Sequence, residues 1–189
     1  MTTSPAPLLV STLDTPDGPF TLVEDEDGTV RASGWTGDVP ALLSRARIPT
    51  GRAIVTSAAP PAGSGTSPGA GAVRAFYEGD PGPALRVPVT QTGTEFQLAV
   101  WAGLRRIPVG TTLTYGELAT ATGRPRAVRA VGAACGRNAV ALFVPCHRVV
   151  GAGGALTGFA WGVDLKRHLL ELEGALSSST GRPTPRRCR

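Results

Sequence analysis

The sequence contains few of the residues that build metal sites and disulfide frameworks. Its 189 residues include only two histidines, His147 and His168, and three cysteines, Cys135, Cys146 and Cys188. The cysteines are odd in number and widely spaced, which argues against a disulfide framework and suits a reducing compartment. No two of them have zinc-finger spacing, so we expect no bound metal.

Long apolar segments and phosphate-binding loops are also missing. No window approaches the about 20 residues of a membrane span, and Met1–Leu13 has neither a basic region nor an apolar stretch of signal-peptide length. We therefore expect a cytoplasmic protein without membrane contact. The glycine-rich segment Gly151–Gly154 lacks the following Lys and Ser or Thr of a nucleotide-binding loop, and no cofactor is implied.

Acidic residues are absent from a long stretch of the second half. Residues 1–90 carry nine acidic and six basic groups, whereas residues 91–189 carry five acidic and thirteen basic groups. Between Glu117 and Asp164 the only charged residues are five arginines: Arg124, Arg126, Arg129, Arg137 and Arg148. This pattern favours a polyanionic partner, nucleic acid first. The alternative is a solvated basic face in a chain whose basic residues are nearly all arginine.

The first ninety residues predict a small antiparallel meander with short helices. Turns at Asp17-Gly18 and Asp27-Gly28 separate three short apolar runs. The predicted strands are Leu8–Thr12, Phe20–Glu24, Val30–Gly34 and Leu85–Val89, and the predicted helices are Val39–Arg47 and Val73–Glu78. Residues 56–72 are rich in Gly, Pro, Ser and Ala, which predicts a surface loop.

The second half is predicted to be helical. Thr94 can cap one helix, and Thr114–Glu117 forms a capping box that opens another to about Thr122. Val163–Glu173 has the apolar periodicity of a final helix. The basic tail 175–189 is expected to be disordered.

A third helix, from Pro125 to Cys135 or Gly136, follows the tight turn at Gly123 and gives helix-turn-helix spacing. Small residues crowd this helix beside Arg126 and Arg129. They allow its backbone to approach a partner closely, or alternatively to pack tightly against other helices. The small residues are Ala127, Ala130, Gly132, Ala133 and Ala134.

The tetrapeptide Pro145-Cys146-His147-Arg148 directly follows the apolar run Val140–Val144. A cysteine is nucleophilic as its thiolate, which a neighbouring histidine and arginine favour. Because proline stops the run, we expect a presented thiol rather than a buried one. The histidine also needs an acceptor to orient it. Glu173, Asp164 and Glu171 are candidates, and although Glu173 ends a helix with an apolar face, spacing alone does not choose among them.

Together these motifs resemble the O6-alkylguanine-DNA alkyltransferase family. The resemblance covers nearly half of the chain, and the motifs occur in the family's order. They are Gly93–Gln97 with Val100-Trp101, Ile107–Gly110, Thr114–Ala119, Arg129–Gly132, Asn138, Pro145–Val150, Gly158–Gly162 and Lys166–Gly174. The first ninety residues resemble the family's N-terminal domain only in the hairpin Thr15–Phe20.

The resemblance implies an α+β fold. A small ribonuclease H-like α/β domain over residues 1–90 would precede a mostly helical, winged-helix-like domain with a helix-turn-helix over residues 91–174. It also implies a monomer, without metal or cofactor, that acts on double-stranded DNA carrying O6-alkylguanine and binds it through the minor groove.

The resemblance further implies roles for individual residues. Cys146 would accept the alkyl group irreversibly, His147 would take the thiol proton through a water, and Glu173 would orient His147. Asn138 would brace the turn. The residues implied to contact DNA or the flipped base are Tyr115, Arg126, Arg129, Ala130, Gly132, Val149, Phe159 and Ala160. O4-methylthymine is implied as a second substrate.

Two other functions remain open. A non-catalytic alkyltransferase-like protein would bind the lesion without repairing it, but such proteins carry another residue at the position of Cys146. A Cys–His hydrolase would need an oxyanion hole and would turn over many times.

Overall fold

The structure, a computed structural model, describes residues 6–49, 54–58 and 67–177. These residues form a mixed α/β fold with a small sheet and seven α-helices, joined by 3-10 turns at Cys146–Arg148 and Ala152–Gly154. The strands are β1 (Leu8–Thr15), β2 (Gly18–Glu24), β3 (Val30–Trp35), β4 (Ile54–Ala58), β5 (Leu113–Thr114) and β6 (Val149–Val150). The helices are α1 (Val39–Arg45), α2 (Pro68–Tyr77), α3 (Gly82–Arg86), α4 (Glu95–Leu104), α5 (Tyr115–Ala121), α6 (Val128–Gly136) and α7 (Val163–Leu172).

The main sheet has the strand order β3-β2-β1-β4. The three predicted strands of the meander are confirmed as antiparallel neighbours, and β4 pairs in parallel with β1. Gly18 closes the first hairpin with φ +98°, a conformation that glycine adopts without steric cost. Helix α1 confirms the predicted helix in this region and is capped by the side chain of Asp38.

The surface loop predicted over residues 56–72 is wrong at both ends, and residues 59–66 lie outside the described part of the chain. Strand β4 occupies the start, and α2 begins at Pro68 with Ser67 as its N-cap. The small residues of α2 serve packing: a Cβ at Gly69 would lie 2.5 Å from the Glu24 carboxylate. Composition therefore predicted a loop where the first turn of a closely packed helix lies, whereas the helix predicted over Val73–Glu78 is confirmed as the second half of α2.

The strand predicted over Leu85–Val89 is also wrong. Residues up to Arg86 form α3, which starts beside two prolines, Pro81 and Pro83, that favour a first helical turn. Only Val89 has a strand-like contact, an isolated bridge to Val30.

The helices of the second half agree with the sequence except at one boundary. Thr94 and Thr114 form reciprocal capping boxes at α4 and α5, as predicted. Helix α6 begins at Val128 rather than Pro125, because residues 124–127 form a turn closed by a hydrogen bond from Ala127 N to Arg124 O. Of the tail, residues 178–189 lie outside the described part of the chain.

One hydrophobic core joins the two halves. It includes Phe20 and Leu22 of the sheet together with Val100, Phe143 and Leu169 of the second half. Ser33 of β3 also bonds across the junction: its amide donates to Ala139 O, and its hydroxyl donates to Ala141 O at 2.8 Å. In the described ranges, no helix is long and apolar enough to cross a membrane.

Candidate active site

Cys146 opens a 3-10 turn at the end of a buried segment. The apolar run Val140–Val144 is buried throughout and irregular, with Leu142 at φ +71°. Cys146 is itself only 7% exposed, so the predicted presented thiol is wrong. The chain turns sharply before Cys146, because Cys146 N donates a hydrogen bond to Val144 O at 2.8 Å.

Asn138 holds the turn from behind. Its Nδ2 donates to Val144 O at 2.7 Å and lies 3.3 Å from Cys146 Sγ, and its Oδ1 accepts from Val140 N. Asn138 is fully buried. A single amide side chain therefore links the backbone before the cysteine to the sulfur atom.

His147 contacts Glu173, the residue that follows α7. The distance from His147 Nε2 to Glu173 Oε1 is 3.0 Å, and both side chains are buried. The structure therefore selects Glu173 from the three candidate acceptors by contact: Asp164 is exposed, and Glu171 is half-buried without such a bond. Within the described residues, the other ring nitrogen, His147 Nδ1, is buried and has no hydrogen-bond partner.

Arg148 binds the same carboxylate. Its Nε and Nη2 donate to the two oxygens of Glu173 at 2.8 and 2.7 Å, and its Nη1 donates to Ile107 O. Arg148 is only 1% exposed. The tetrapeptide predicts that this arginine favours the Cys146 thiolate, but in the structure its guanidinium binds Glu173 instead.

The network fixes the protonation states. Burial alone raises the pKa of Glu173, but hydrogen bonds and charges from His147 and Arg148 outweigh it and lower the pKa to about 2. Burial lowers the pKa of His147, so the imidazole is neutral at neutral pH. Because an ionised Glu173 can only accept, Nε2 carries the ring proton and Nδ1 holds the free lone pair. His147 is therefore poised to accept a proton at Nδ1.

The thiol is protonated at rest. Burial raises the pKa of Cys146, opposed by the hydrogen bond from Asn138 and the positive charges of Lys166 and Arg45. A base is therefore needed to form the thiolate, and His147 is the adjacent candidate.

A cavity of about 280 Å³ lies over the sulfur. Five predicted site residues line it together: Tyr115, Gly132, Cys146, Phe159 and Ala160. Its other lining residues are Arg45, Cys135, Gly136 and Gly158. We call it the alkyl cavity.

Val149 lies deeper than the other predicted base contacts. Its side chain is fully buried in β6, and its carbonyl accepts from Lys166 Nζ at 2.6 Å. One lone pair of that carbonyl is already used, and the second remains for another donor.

Helix α6 presents its small and basic residues to solvent. Arg129, Ala130 and Ala133 are exposed, and so is Arg126 in the preceding turn. The buried face consists of Val131, Ala134 and Cys135. Ala130 and Ala133 are thus exposed, whereas Ala134 packs in the core and Gly132 is half-buried.

Sequence reasoning missed Arg45. It is the last residue of α1. Its Nε and Nη2 donate to Asn138 O at 3.0 Å and Gly136 O at 2.6 Å, and its guanidinium stacks 5.2 Å from the Trp161 ring centroid. Because the contact spans about ninety residues of chain, no local pattern could have revealed it.

Lys166 was also missed as an individual site residue. It is the only lysine of the chain and is fully buried. Its ammonium donates to Val149 O and Thr157 O, so it ties the segment after the cysteine to the loop before α7. Its position three and four residues before Leu169 and Leu170, on the apolar face of α7, was the available signal.

Comparison with known proteins agrees with these features. The family described as "6-O-methylguanine DNA methyltransferase, DNA binding domain" matches residues 95–175. The methylated-DNA–protein-cysteine methyltransferase of Shigella flexneri is 38% identical over 171 residues, which span 89% of this chain and 97% of that protein. The protein of the same name from Methanosarcina acetivorans is 50% identical over 103 residues, which span 54% of this chain and 65% of that protein.

Solved structures show the same relation. The O6-methylguanine methyltransferase of Mycobacterium tuberculosis has a TM-score of 0.70 and 35% identity, over 89% of this chain and 93% of that chain. The M. tuberculosis OGT protein in complex with DNA has a TM-score of 0.71 and 36% identity, over 88% and 93%. With fold, sequence and cysteine motif in agreement, the chain belongs to the methylated-DNA–protein-cysteine methyltransferase family of DNA repair enzymes.

Proposed function

We propose that the protein transfers a methyl or larger alkyl group from guanine O6 in DNA to Sγ of Cys146, once per molecule. One observation supports this most strongly. Cys146 lines the alkyl cavity, while the adjacent His147 has one ring nitrogen bound to Glu173 and the other buried without a partner among the described residues. A nucleophile and its base are thus neighbours in the chain, and the base contacts the group that orients it.

The transfer is an in-line displacement at the alkyl carbon. The thiol proton passes through a water to His147 Nδ1, and the sulfur attacks the alkyl carbon. The S–C bond forms as the C–O bond breaks, and the guanine takes back a proton to become neutral. Glu173, held ionised by Arg148, stabilises the imidazolium formed during the step.

Single turnover follows from the chemistry of the product. A thioether is stable, and releasing the alkyl group would need a second activated nucleophile. The other thiol of the alkyl cavity, Cys135, is unsuited to that role because burial raises its pKa to about 12. Cys146 is therefore consumed.

Access to O6 requires the nucleotide to leave the base stack. The exposed Ala130, together with Gly132, lets α6 approach the minor groove, and Arg129 fills the gap left by the flipped base. Arg126 contacts phosphate. Tyr115, half-buried beside Gly158 in the alkyl cavity, contacts the base.

The edge of the guanine is read by the loop over the cavity. Phe159 and Ala160 line the alkyl cavity and supply backbone amides, and the second lone pair of the Val149 carbonyl accepts from the base. O4-methylthymine is a second substrate of the same site.

The sheet order supports assigning residues 1–90 to a ribonuclease H-like domain, since β4 runs parallel to β1 beside an antiparallel meander. Residues 91–174, with the helix-turn-helix of α5 and α6, form the winged-helix-like domain. The protein acts as a cytoplasmic monomer.

Counting repaired lesions per protein tests the function. An excess of duplex carrying O6-methylguanine should lose at most one methyl group per molecule. The variant Cys146→Ala should repair none, and Cys135→Ala should repair as many as the unaltered protein. Many lesions repaired per molecule would indicate a hydrolase, and lesion binding without repair by the unaltered protein would indicate a non-catalytic binder.

A further inference from the structure

A second cavity adjoins the alkyl cavity. It has a volume of about 250 Å³, and Arg45 and Gly136 line both cavities. Three further arginines, Arg31, Arg47 and Arg137, line the second cavity, and none of its described lining residues is acidic. We call it the arginine cavity.

The four arginines come from three segments of the chain. Arg31 lies on β3, Arg45 and Arg47 end and follow α1, and Arg137 follows α6. Of the four, Arg31 makes an ion pair, with Asp25 at 3.3 Å, and Arg45 is bound to backbone carbonyls. Folding thus gathers like charges with little compensation among the described residues, an arrangement that an anion stabilises.

The backbone at Arg47 supports a binding role for its side chain. Arg47 has φ +55° directly after α1, where Arg47 N bonds to Ser44 O and Ile48 N bonds to Leu43 O. This is the helix-ending motif at which glycine is strongly favoured. The chain carries an arginine there instead, and that arginine lines the cavity.

The remaining lining suits a phosphate. Guanidinium groups bind phosphate oxygens through paired N–H donors. Polar side chains complete the wall: Ser44, Gln91, Thr92 and Gln97. The cavity is thus rich in donors on several sides.

We infer that the arginine cavity binds a phosphate of the DNA backbone beside the flipped nucleotide. The inference rests on the proposed function, which places that nucleotide in the alkyl cavity. Because Arg45 and Gly136 line both cavities, the strand that enters one passes close to the other. The DNA interface then extends from α6 to α1 and β3 of the first half.

The salt dependence of DNA binding tests this inference. Each phosphate contact lowers the slope of log K against log salt by about 0.9. Arg47→Gln and Arg137→Gln should each reduce the magnitude of the slope by about one for an unmodified duplex, measured by fluorescence anisotropy. The matched control is Arg106→Gln, an exposed arginine that lines neither cavity. Slopes equal to that of the control would overturn the inference.

Two further measurements are needed. One distinguishes a DNA phosphate from a free nucleotide, and the other distinguishes phosphate binding in the arginine cavity from alkyl transfer to Cys146. Guanosine monophosphate binding that is lost in Arg47→Gln, with an unchanged duplex slope, would assign the cavity to a free nucleotide and overturn the DNA assignment. Reaction of Cys146 with free O6-benzylguanine should proceed at the unaltered rate in both variants. Because the slope uses unmodified DNA, it stays interpretable even where alkyl transfer to Cys146 fails.

Discussion

At the scale of single residues, the site depends on one buried carboxylate that serves two partners. Glu173 accepts from His147 and from two nitrogens of Arg148. Removing one member of a buried ion pair leaves the other charge uncompensated, which is costly. Glu173 therefore couples the chemistry of His147 to the stability of the segment that carries Cys146.

The variant Glu173→Gln should slow alkyl transfer and leave duplex affinity nearly unchanged. A neutral amide stabilises the imidazolium less and leaves Arg148 buried without its counter-charge, so the free energy of unfolding should fall by roughly 3 kcal/mol. Single-turnover kinetics, anisotropy and urea unfolding measure the three quantities. Glu171→Gln, in the last turn of α7, is the matched control. A collapse of duplex affinity would make Glu173 a purely structural residue.

Acid should remove the contribution of Glu173 to the free energy of unfolding over a defined pH range. Its pKa is lowered from 4.5 to about 2, so the unfolded chain binds its proton first. Stability is fully present above pH 4.5 and is lost as the pH falls toward 2, by about 3 kcal/mol in all. The lowered pKa of His147 acts in the same direction at higher pH. Urea unfolding between pH 5 and pH 2.5 should show a steeper loss for the unaltered protein than for Glu173→Gln; parallel curves would contradict the ionic network.

At the scale of elements, α6 has one face packed in the core and one face exposed to solvent. Trp101 Nε1 bonds to Ala134 O on the buried face at 2.9 Å, while Ala130 and Ala133 face solvent. Small exposed residues add no packing to the core. Under the proposed function, they let the helix backbone approach DNA closely.

Ala130→Leu should therefore weaken duplex binding about tenfold, because a bulky side chain obstructs the groove, and should change the free energy of unfolding by no more than about 0.5 kcal/mol. Anisotropy and urea unfolding measure both. Ala102→Leu, at an exposed position of α4, is the control. A large loss of stability with unchanged DNA affinity would show that Ala130 serves helix packing instead.

Local sequence signals predicted most of the helices and strands, whereas contacts between distant segments could not be predicted. The capping boxes at Thr94 and Thr114 involve only four consecutive residues each, so both helix starts could be predicted from the sequence. Only the second half of α2 was predicted, as Val73–Glu78, because the small residues that begin the helix resemble a loop and one of them, Gly69, packs against Glu24, far away in the sequence. In the site, Cys146 and His147 are adjacent and were found together. From the residues alone, Glu173 remained one of three candidate acceptors for His147. The role of Arg45 could not be predicted, since its contacts form only on folding.

At the scale of the whole molecule, the first half positions the site in the second. Trp161, in the loop before α7, packs on Trp35 of β3 with ring centroids 5.8 Å apart and on Phe159 at 5.4 Å. Gly34 makes room for it, because a Cβ there would lie 2.3 Å from the Trp161 ring. The sheet thus holds the loop that closes the alkyl cavity.

Gly34→Ala should displace Trp161, reduce the free energy of unfolding by about 1–3 kcal/mol and slow alkyl transfer. Gly37→Ala is the matched control, since a Cβ at Gly37 meets nothing within 4 Å. Urea unfolding and single-turnover rates measure the effect. Equal stability and equal rates in the two variants would show that the loop is positioned independently of the sheet.

The mass of the protein after reaction tests most directly whether Cys146 is the alkyl acceptor. Incubation with a duplex carrying one O6-methylguanine should add one methyl group, and peptide mapping should place it on the peptide that contains Cys146. An unmodified protein beside repaired DNA, or a methyl group on Cys135 instead, would contradict the account.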